Sequence, residues 1–294
     1  MVRPALAEDN FKQVSDTGIT HSVLAFGAET YLLNAKNEVT WRYQASTRDG
    51  WMLPNGHILM TISKSSLNAN GAIVEVDRQG NKFREIIGTM SEVDNVQPLP
   101  NDGLLYTESG PNARLVELDK NGKIVVTFPL QCQKEDFHMQ TRMVRKLKNG
   151  NYLVPHLIDK VVKEYDKTGK VVWQASTPHW AFTAIRLDNG NTLVGCTRGN
   201  LVVELDSAGK IVWQVTNDDL PGAPLKDCCG VMRLPNGNTV ITSYGSGGEN
   251  EVKLTEVTPE KKIVWQLYTG QNHGIHEFQI LDEKQKPLKG RPLK

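Results

Sequence analysis

Apolar and polar positions alternate along this chain with a period of two, and glycines interrupt the alternation at regular intervals. Ala72-Ile-Val-Glu-Val-Asp77, Arg114-Leu-Val-Glu-Leu-Asp119 and Leu201-Val-Val-Glu-Leu-Asp206 read as half-buried strands. A leucine followed by Asn-Gly or its near equivalent recurs at Leu53-Pro-Asn-Gly56, Leu99-Pro-Asn-Asp-Gly103, Leu147-Lys-Asn-Gly150, Leu187-Asp-Asn-Gly190 and Leu234-Pro-Asn-Gly237. Asn-Gly between apolar strands is a strong hairpin signal, and it predicts turns with both residues at positive φ. A second turn recurs at Gln79-Gly80, Asn121-Gly122, Thr168-Gly169 and Ala208-Gly209. Apolar strands such as Lys170-Val-Val-Trp173, Lys210-Ile-Val-Trp213 and Lys262-Ile-Val-Trp265 follow such turns.

The repeating unit is therefore a four-stranded antiparallel meander of roughly 40–50 residues, the length of a propeller blade. Complete units begin near Trp51, Val96, Met143, Thr183 and Gly230. The two ends supply a sixth. Strands at His21–Phe26, Thr30–Asn34 and Glu38–Trp41 lack an inner partner, and Ile275–Leu281 at the other end of the chain matches it. Pairing them closes the ring and removes its open sheet edges. The predicted fold is all-β, a six-bladed β-propeller spanning residues 17–294 as one domain, after a loosely packed lead of residues 1–16. The basic tail from Lys284 is expected to add in part to the first blade. Trp41, Trp173, Trp213 and Trp265 share one repeat position and are assigned to packing between blades.

Composition changes this picture little. The chain has 294 residues and a net charge of +1 with acids and bases interspersed, so it lacks the electrostatic footprint of a nucleic-acid or anionic-membrane binder. No apolar run approaches the ~18 residues that span a bilayer. Ala5-Leu6-Ala7 before Glu8-Asp9 resembles the end of a signal-peptide cleavage site, which sets the expectation of a secreted or periplasmic monomer. None of the four cysteines has the CxxC spacing of a zinc site.

The repeat "Asn-Gly-Asn-x-Leu … Val-x-Glu-Leu-Asp-x-x-Gly-Lys-Ile-Val-Trp-Gln" resembles that of PQQ-like propellers over roughly residues 20–282. That superfamily includes quinoprotein dehydrogenases, an outer-membrane assembly lipoprotein and, more distantly, arylsulfotransferases. The quinoprotein resemblance implies a vicinal disulfide at Cys228-Cys229 lying against a quinone; two buried small residues are the alternative. Arylsulfotransferase-like propellers carry His-Asp before a Leu-Pro-Asn-Gly-Asn turn. His276-Glu277 before Leu281 is similar, although Asp282-Glu283-Lys284 replaces the turn.

Repetition also lines up chemistry. Five residues before each blade leucine stand Arg48, Asp94, Arg142, Phe182, Cys229 and His276, which a closed ring would bring together at the channel mouth. Nine residues after it stand Ile62, Glu108, His156, Cys196 and Ser243. The longest loops on that face add Asp136, His138, His179, Trp180, Asp227, Cys228 and His273. Such convergence is the signature of a binding site. His276 or His138 is the candidate general base, with Arg142 or Arg48 clamping an anionic group. Arg48, Asp94, Glu108, Trp180, Cys228 and Cys229 are candidate ligand contacts. His156, His179 and His276 are a candidate imidazole set for a divalent metal in the channel. The expected function is binding, with cleavage or modification open, of a small anionic or carbohydrate-derived ligand. A non-catalytic interaction scaffold and a PQQ-dependent oxidoreductase are the alternatives.

Overall fold

The computed structural model describes residues 10–66, 68–248, 251–270, 274–288 and 294. Six antiparallel sheets stand in a ring, and each blade is built from strands that neighbour one another in order from the channel outward. Blade 1 runs outward through Thr47–Met52, Ile58–Ile62, Ala72–Val76 and Lys82–Ile87. In blade 2 the inner strand is split into Glu92–Val93 and Gln97–Pro98, followed by Leu104–Ser109, Arg114–Leu118 and Ile124–Pro129. Blade 3 comprises Arg145–Lys146, Tyr152–His156, Val161–Tyr165 and Val171–Ser176, and blade 4 Trp180–Arg186, Thr192–Thr197, Leu201–Leu205 and Ile211–Thr216. Blade 5 has Val231–Arg233, Thr239–Thr242, Glu251–Val257 and Ile263–Thr269. Blade 6 joins Ile275–Leu281 to Ser22–Gly27, Thr30–Leu33 and Val39–Tyr43, with Ala25 opposite Phe278. Closure by the chain ends is as the repeat predicts.

Two expectations change. The described part of the lead, residues 10–16, is not loose: Phe11 is buried in the core between blades 5 and 6, and Lys12–Val14 pairs antiparallel with Ile263–Thr269 as a fifth strand. An exposed strand edge attracts other chains, and this segment covers one. The Asn-Gly turns are also of a different kind. Gly190 N donates to Leu187 O at 3.0 Å and Leu187 N to Asn191 O at 2.8 Å. Gly190 alone has a positive φ, +88°, while Asn189 does not. This is a three-residue hairpin ending in a left-handed glycine, not a two-residue turn. Asn189 earns its place by its side chain, whose Oδ1 accepts from Asn191 N at 3.0 Å.

The core lies between blades. One cluster joins Leu105, Leu115 and Phe128 of blade 2 to Val144, Tyr152 and Val154 of blade 3. Polar pins repeat beside these clusters. A glutamate in the third strand accepts from a basic group of the next blade: Glu117 from Lys146 at 2.7 Å, Glu164 from Arg186 at 2.9 Å, Glu204 from Arg233 at 3.0 Å. Trp173 and Trp213 donate from Nε1 to Ser207 O and Pro259 O, both at 2.8 Å. Trp173 and Trp213 thus bridge neighbouring blades by hydrogen bonds, Trp41 packs between blades 6 and 1, and Trp265 Nε1 donates to Gln13 of the added strand at 2.8 Å. The tail contributes through Gln285, which accepts from Arg78 of blade 1 at 2.8 Å and donates to Thr40 of blade 6 at 2.7 Å.

Candidate functional site

Inner strands bring one side chain each to the mouth of the channel. Five of the six aligned positions, Arg48, Arg142, Phe182, Cys229 and His276, line one cavity of about 170 Å³. The sixth, Asp94, lies fully buried behind them. Arg48 Nη1 donates to Asp94 Oδ1 and to Glu92 Oε2, the latter at 3.3 Å. Arg142 Nη1 donates to Thr141 O at 2.8 Å and stands 3.7 Å from Asp94 Oδ2, and its guanidinium lies 5.6 Å from the centroid of the Phe182 ring. Ser109 Oγ donates to the same Asp94 oxygen at 2.8 Å. Asp94 therefore orients both arginines.

The electrostatics follow from burial and pairing. Burial lowers Arg142 to about 10 against the pull of Asp94, which still leaves it charged at neutral pH. Burial also works against charge on Arg48, but Asp94 and Glu92 outweigh it and raise its pKa. Asp94 is pushed upward by burial while Arg142 and Arg48 pull it down. Burial opposes ionisation of Glu92, yet His138, Lys64 and Arg48 hold it far below the usual carboxylate range. His138 contributes through Nδ1, 2.8 Å from both Glu92 oxygens. Its position is set by a 3-10 turn, Phe137–Met139, whose cap Asp136 accepts from His138 N at 2.9 Å.

His276 is held differently. Its ring stacks on Tyr244 at 4.0 Å between centroids and lies near-parallel to Phe182 at 6.2 Å. Nδ1 finds no hydrogen-bond partner among the described residues. Burial, then the charges of Arg48 and Arg142, drive its pKa well below 6.5, so the imidazole is neutral at pH 7. At the outer rim Arg198 lies over the Trp180 ring at 5.7 Å. Asp227 holds that loop, its Oδ1 accepting from Arg198 N at 2.8 Å. The charged side chains lining the cavity are Arg48, Arg142, Arg198 and Asp227, beside His138 and His276, with Met139, Leu157, Trp180, Phe182 and Tyr244 as its apolar part. A wall with this excess of guanidinium and aromatic surface can hold an oxyanion and a flat ring or sugar face.

Several expected members stand elsewhere. Glu108 is buried in blade 2, accepting from Thr89 N at 2.6 Å and Arg114 Nε at 2.8 Å, so its oxygens are committed to structure. His156 is fully buried, with Nε2 2.9 Å from Tyr165 OH and Nδ1 3.6 Å from Asp159. His179 lies outside the cavity lining, and among the described residues no group of three or more His, Cys, Asp or Glu could hold a metal. The set His156, His179 and His276 is thus not a ligand shell, and these residues do not fit a divalent ion. His273 lies outside the described residues.

All four cysteines are free thiols. Cys228 packs in the core with Leu225 and Val231, whereas Cys229 packs with Met143, Leu157 and Phe182. Consecutive side chains pointing into different clusters leave no disulfide plate against the cavity. Cys229 alone lines it, and burial raises its thiol pKa.

Glu108 and His156 are misplaced for one cause. Residues nine after the blade leucine lie at or within one residue of the end of the second strand and are buried in the blade. Those ten after it, Leu157, Thr197 and Tyr244, line the cavity. Side chains alternate between faces, so an offset of one residue selects the opposite set.

Two broader clefts of about 900 Å³ each lie at the opposite face, beside the Leu99 turn. Their charged groups are turn residues, blade-to-blade pairs such as Lys146–Glu117, or the Arg84–Glu75 pair within blade 1.

No known family model matches the chain, and no protein with a curated description matches it significantly. The likeness to PQQ-like repeats therefore stands at the level of the propeller fold. Solved structures do match. A protein of unknown function from Bacteroides caccae is 24% identical, with a TM-score of 0.79 over 90% of this chain and 100% of the other. A catalytically inactive variant of virginiamycin B lyase from Staphylococcus aureus, solved with quinupristin, is 12% identical, with a TM-score of 0.60 over 93% and 96% of the two chains. The WD40 propeller domain of Doa1 is 15% identical, with a TM-score of 0.56 over 88% and 87%. At these identities the likeness is one of fold, and the neighbours differ in what they do.

Proposed function

We propose that the protein binds a small ligand at the channel mouth through an oxyanion and an adjoining flat or sugar-like face. The observation that carries this reading is the convergence of Arg48, Arg142, Arg198, His276 and the rings of Trp180, Phe182 and Tyr244 on one cavity. Arg142 and Arg48, pre-set by Asp94, act as the anion clamp, so little side-chain freedom is lost on binding. Trp180 and Arg198 form the outer lip. His276, kept neutral by burial and the two guanidinium groups, serves as a hydrogen-bond partner for the ligand, not as a strong base. A volume of about 170 Å³ limits the enclosed part to a fragment smaller than a drug-sized molecule. A secreted or periplasmic location belongs to the same proposal, on the residues 5–7 alone.

Calorimetric titration with small carboxylates, sulfates, phosphates and uronic acids tests it. We expect one class to bind at a single site. Arg198→Ala and Trp180→Ala should each weaken that class roughly tenfold, the worth of one lost contact of about 1.4 kcal/mol, without lowering Tm. Failure of every class, or wild-type affinity in both variants, rejects the site.

The scaffold reading has one observation in its favour. Val125, Val172 and Val212, on the outer strands of blades 2, 3 and 4, are each about half exposed, at 51%, 49% and 51%. A chain binding across those edges would be unaffected by Arg198→Ala and Trp180→Ala.

A further inference from the structure

A second constellation sits in the channel beside the cavity. Asp49, Thr183 and Glu277 directly follow the ring residues Arg48, Phe182 and His276 in sequence. Asp49 and Glu277 are fully buried carboxyl residues. Lys294 is buried among them. Its Nζ donates to Asp49 Oδ1 at 3.0 Å and to Gly50 O at 2.5 Å. The same ammonium lies 4.3 Å from the Trp51 ring centroid and 5.4 Å from that of Phe26. Arg145, itself 3.3 Å from Asp49 and stacked over Trp51, donates from Nε to Lys294 O at 2.9 Å. Glu277 accepts from Thr183 Oγ1 at 3.0 Å and acts on Lys294 through its charge.

From this geometry we infer that Asp49, Glu277, the Gly50 carbonyl and the rings of Trp51 and Phe26 form a binding site for a primary alkylammonium group, which Lys294 fills from within the same chain. Charge and shape both argue for it. Among the described residues, two carboxyl groups face one guanidinium, that of Arg145, so with both ionised the seat lacks one positive charge until an ammonium enters. Two oxygens supply acceptors for N–H groups, and the two rings present their negative faces within the ~6 Å at which a cation is attracted. A quaternary ammonium has no N–H for Asp49 and Gly50, so the seat selects primary amines. The site is independent of the anion clamp: its members belong to a different set of side chains and attract the opposite charge. A free alkylamine or the lysine of another chain competes with Lys294 for the seat.

Chemical rescue tests the inference on the full chain. Lys294→Ala should lower Tm by at least about 5 °C, because Asp49 Oδ1 and the Gly50 carbonyl are left buried without their donor. Millimolar n-butylamine should then restore much of the loss in a saturable way, and tetramethylammonium should not. Wild type and the double variant Asp49→Asn/Lys294→Ala should show no such response. A Lys294→Ala protein with unchanged Tm, or one that n-butylamine leaves unrestored, overturns the assignment. Should Lys294→Ala not fold, acetylation of the folded wild type decides. Lys294 should react at least tenfold more slowly than Lys64, whose side chain is 54% exposed. Equal reactivity would refute the seat.

Discussion

Neighbours decide what each side chain in the mouth can do. His276 and His138 both sit there, yet one is stacked between rings and the other bound to a carboxylate. A free imidazole is half protonated at pH 6.5, whereas His276 should be neutral at that pH; side-chain nitrogen shifts in an NMR titration would reveal it. Its folded-state pKa is depressed, so the stability it contributes is present above pH 6.5 and is lost as pH falls below it. Asp94 is the other decisive residue. Asp94→Asn leaves Arg48 and Arg142 without their shared counter-charge in a buried site, and urea unfolding should show a loss of about 3 kcal/mol. If instead that variant were as stable as wild type and still bound ligand, Asp94 would not be orienting the arginines.

The blade repeat is carried by turns whose chemistry is local and by strands whose facing is not. In the Leu-x-Asn-Gly turns the glycine at φ near +88° and the asparagine side chain are both read from four residues of sequence. Which face a strand residue joins depends on its register with the neighbouring strand. Tyr244 and Thr197 lie one position beyond Ser243 and Cys196, and that step separates cavity wall from blade core. The added strand Lys12–Val14 shows another dependence. Three residues with no repeat partner form a strand because Ile263–Thr269 offers an edge and Phe11 fills a hollow between blades. Deleting the chain through residue 14 should expose that edge and raise light scattering at concentrations where the intact protein is clear. Phe11→Ala, which keeps the strand, should cost about 3 kcal/mol without aggregation.

At the scale of the whole ring, closure by distant segments couples the two chain ends to the channel. Ile275–Leu281 is at once the inner strand of blade 6 and the carrier of His276 and Glu277. Phe278→Ala should therefore destabilise by about 3–5 kcal/mol and unfold the ring in one transition, since its cavity opens at the seam. Burial raises Glu277 to about 7 from 4.5, against the pull of Lys294. Its folded form holds the proton more tightly, so its contribution to stability is complete below pH 4.5 and is lost as pH rises through about 7. Glu277→Gln should flatten that part of the stability profile between about pH 5 and pH 8, measured by Tm in matched buffers. A profile unchanged by the substitution would mean that Glu277 does not titrate in this range.

The six-bladed ring, its seam and the six aligned mouth positions were legible in the chain, because alternation, turn residues and repeat length are properties of neighbours in sequence. Asp94, Arg142 and His276 could be aligned before any coordinate was known, since quasi-equivalent positions of a closed ring must meet. The pairing of Asp94 with two arginines, the stacking of His276 on Tyr244 and the separation of Cys228 from Cys229 could not. Nor could the place of Lys294 beside Asp49, which lies 245 residues earlier. Those depend on strand register, on bulges that turn one side chain instead of its neighbour, and on burial, and none of the three exists until the sheets pack.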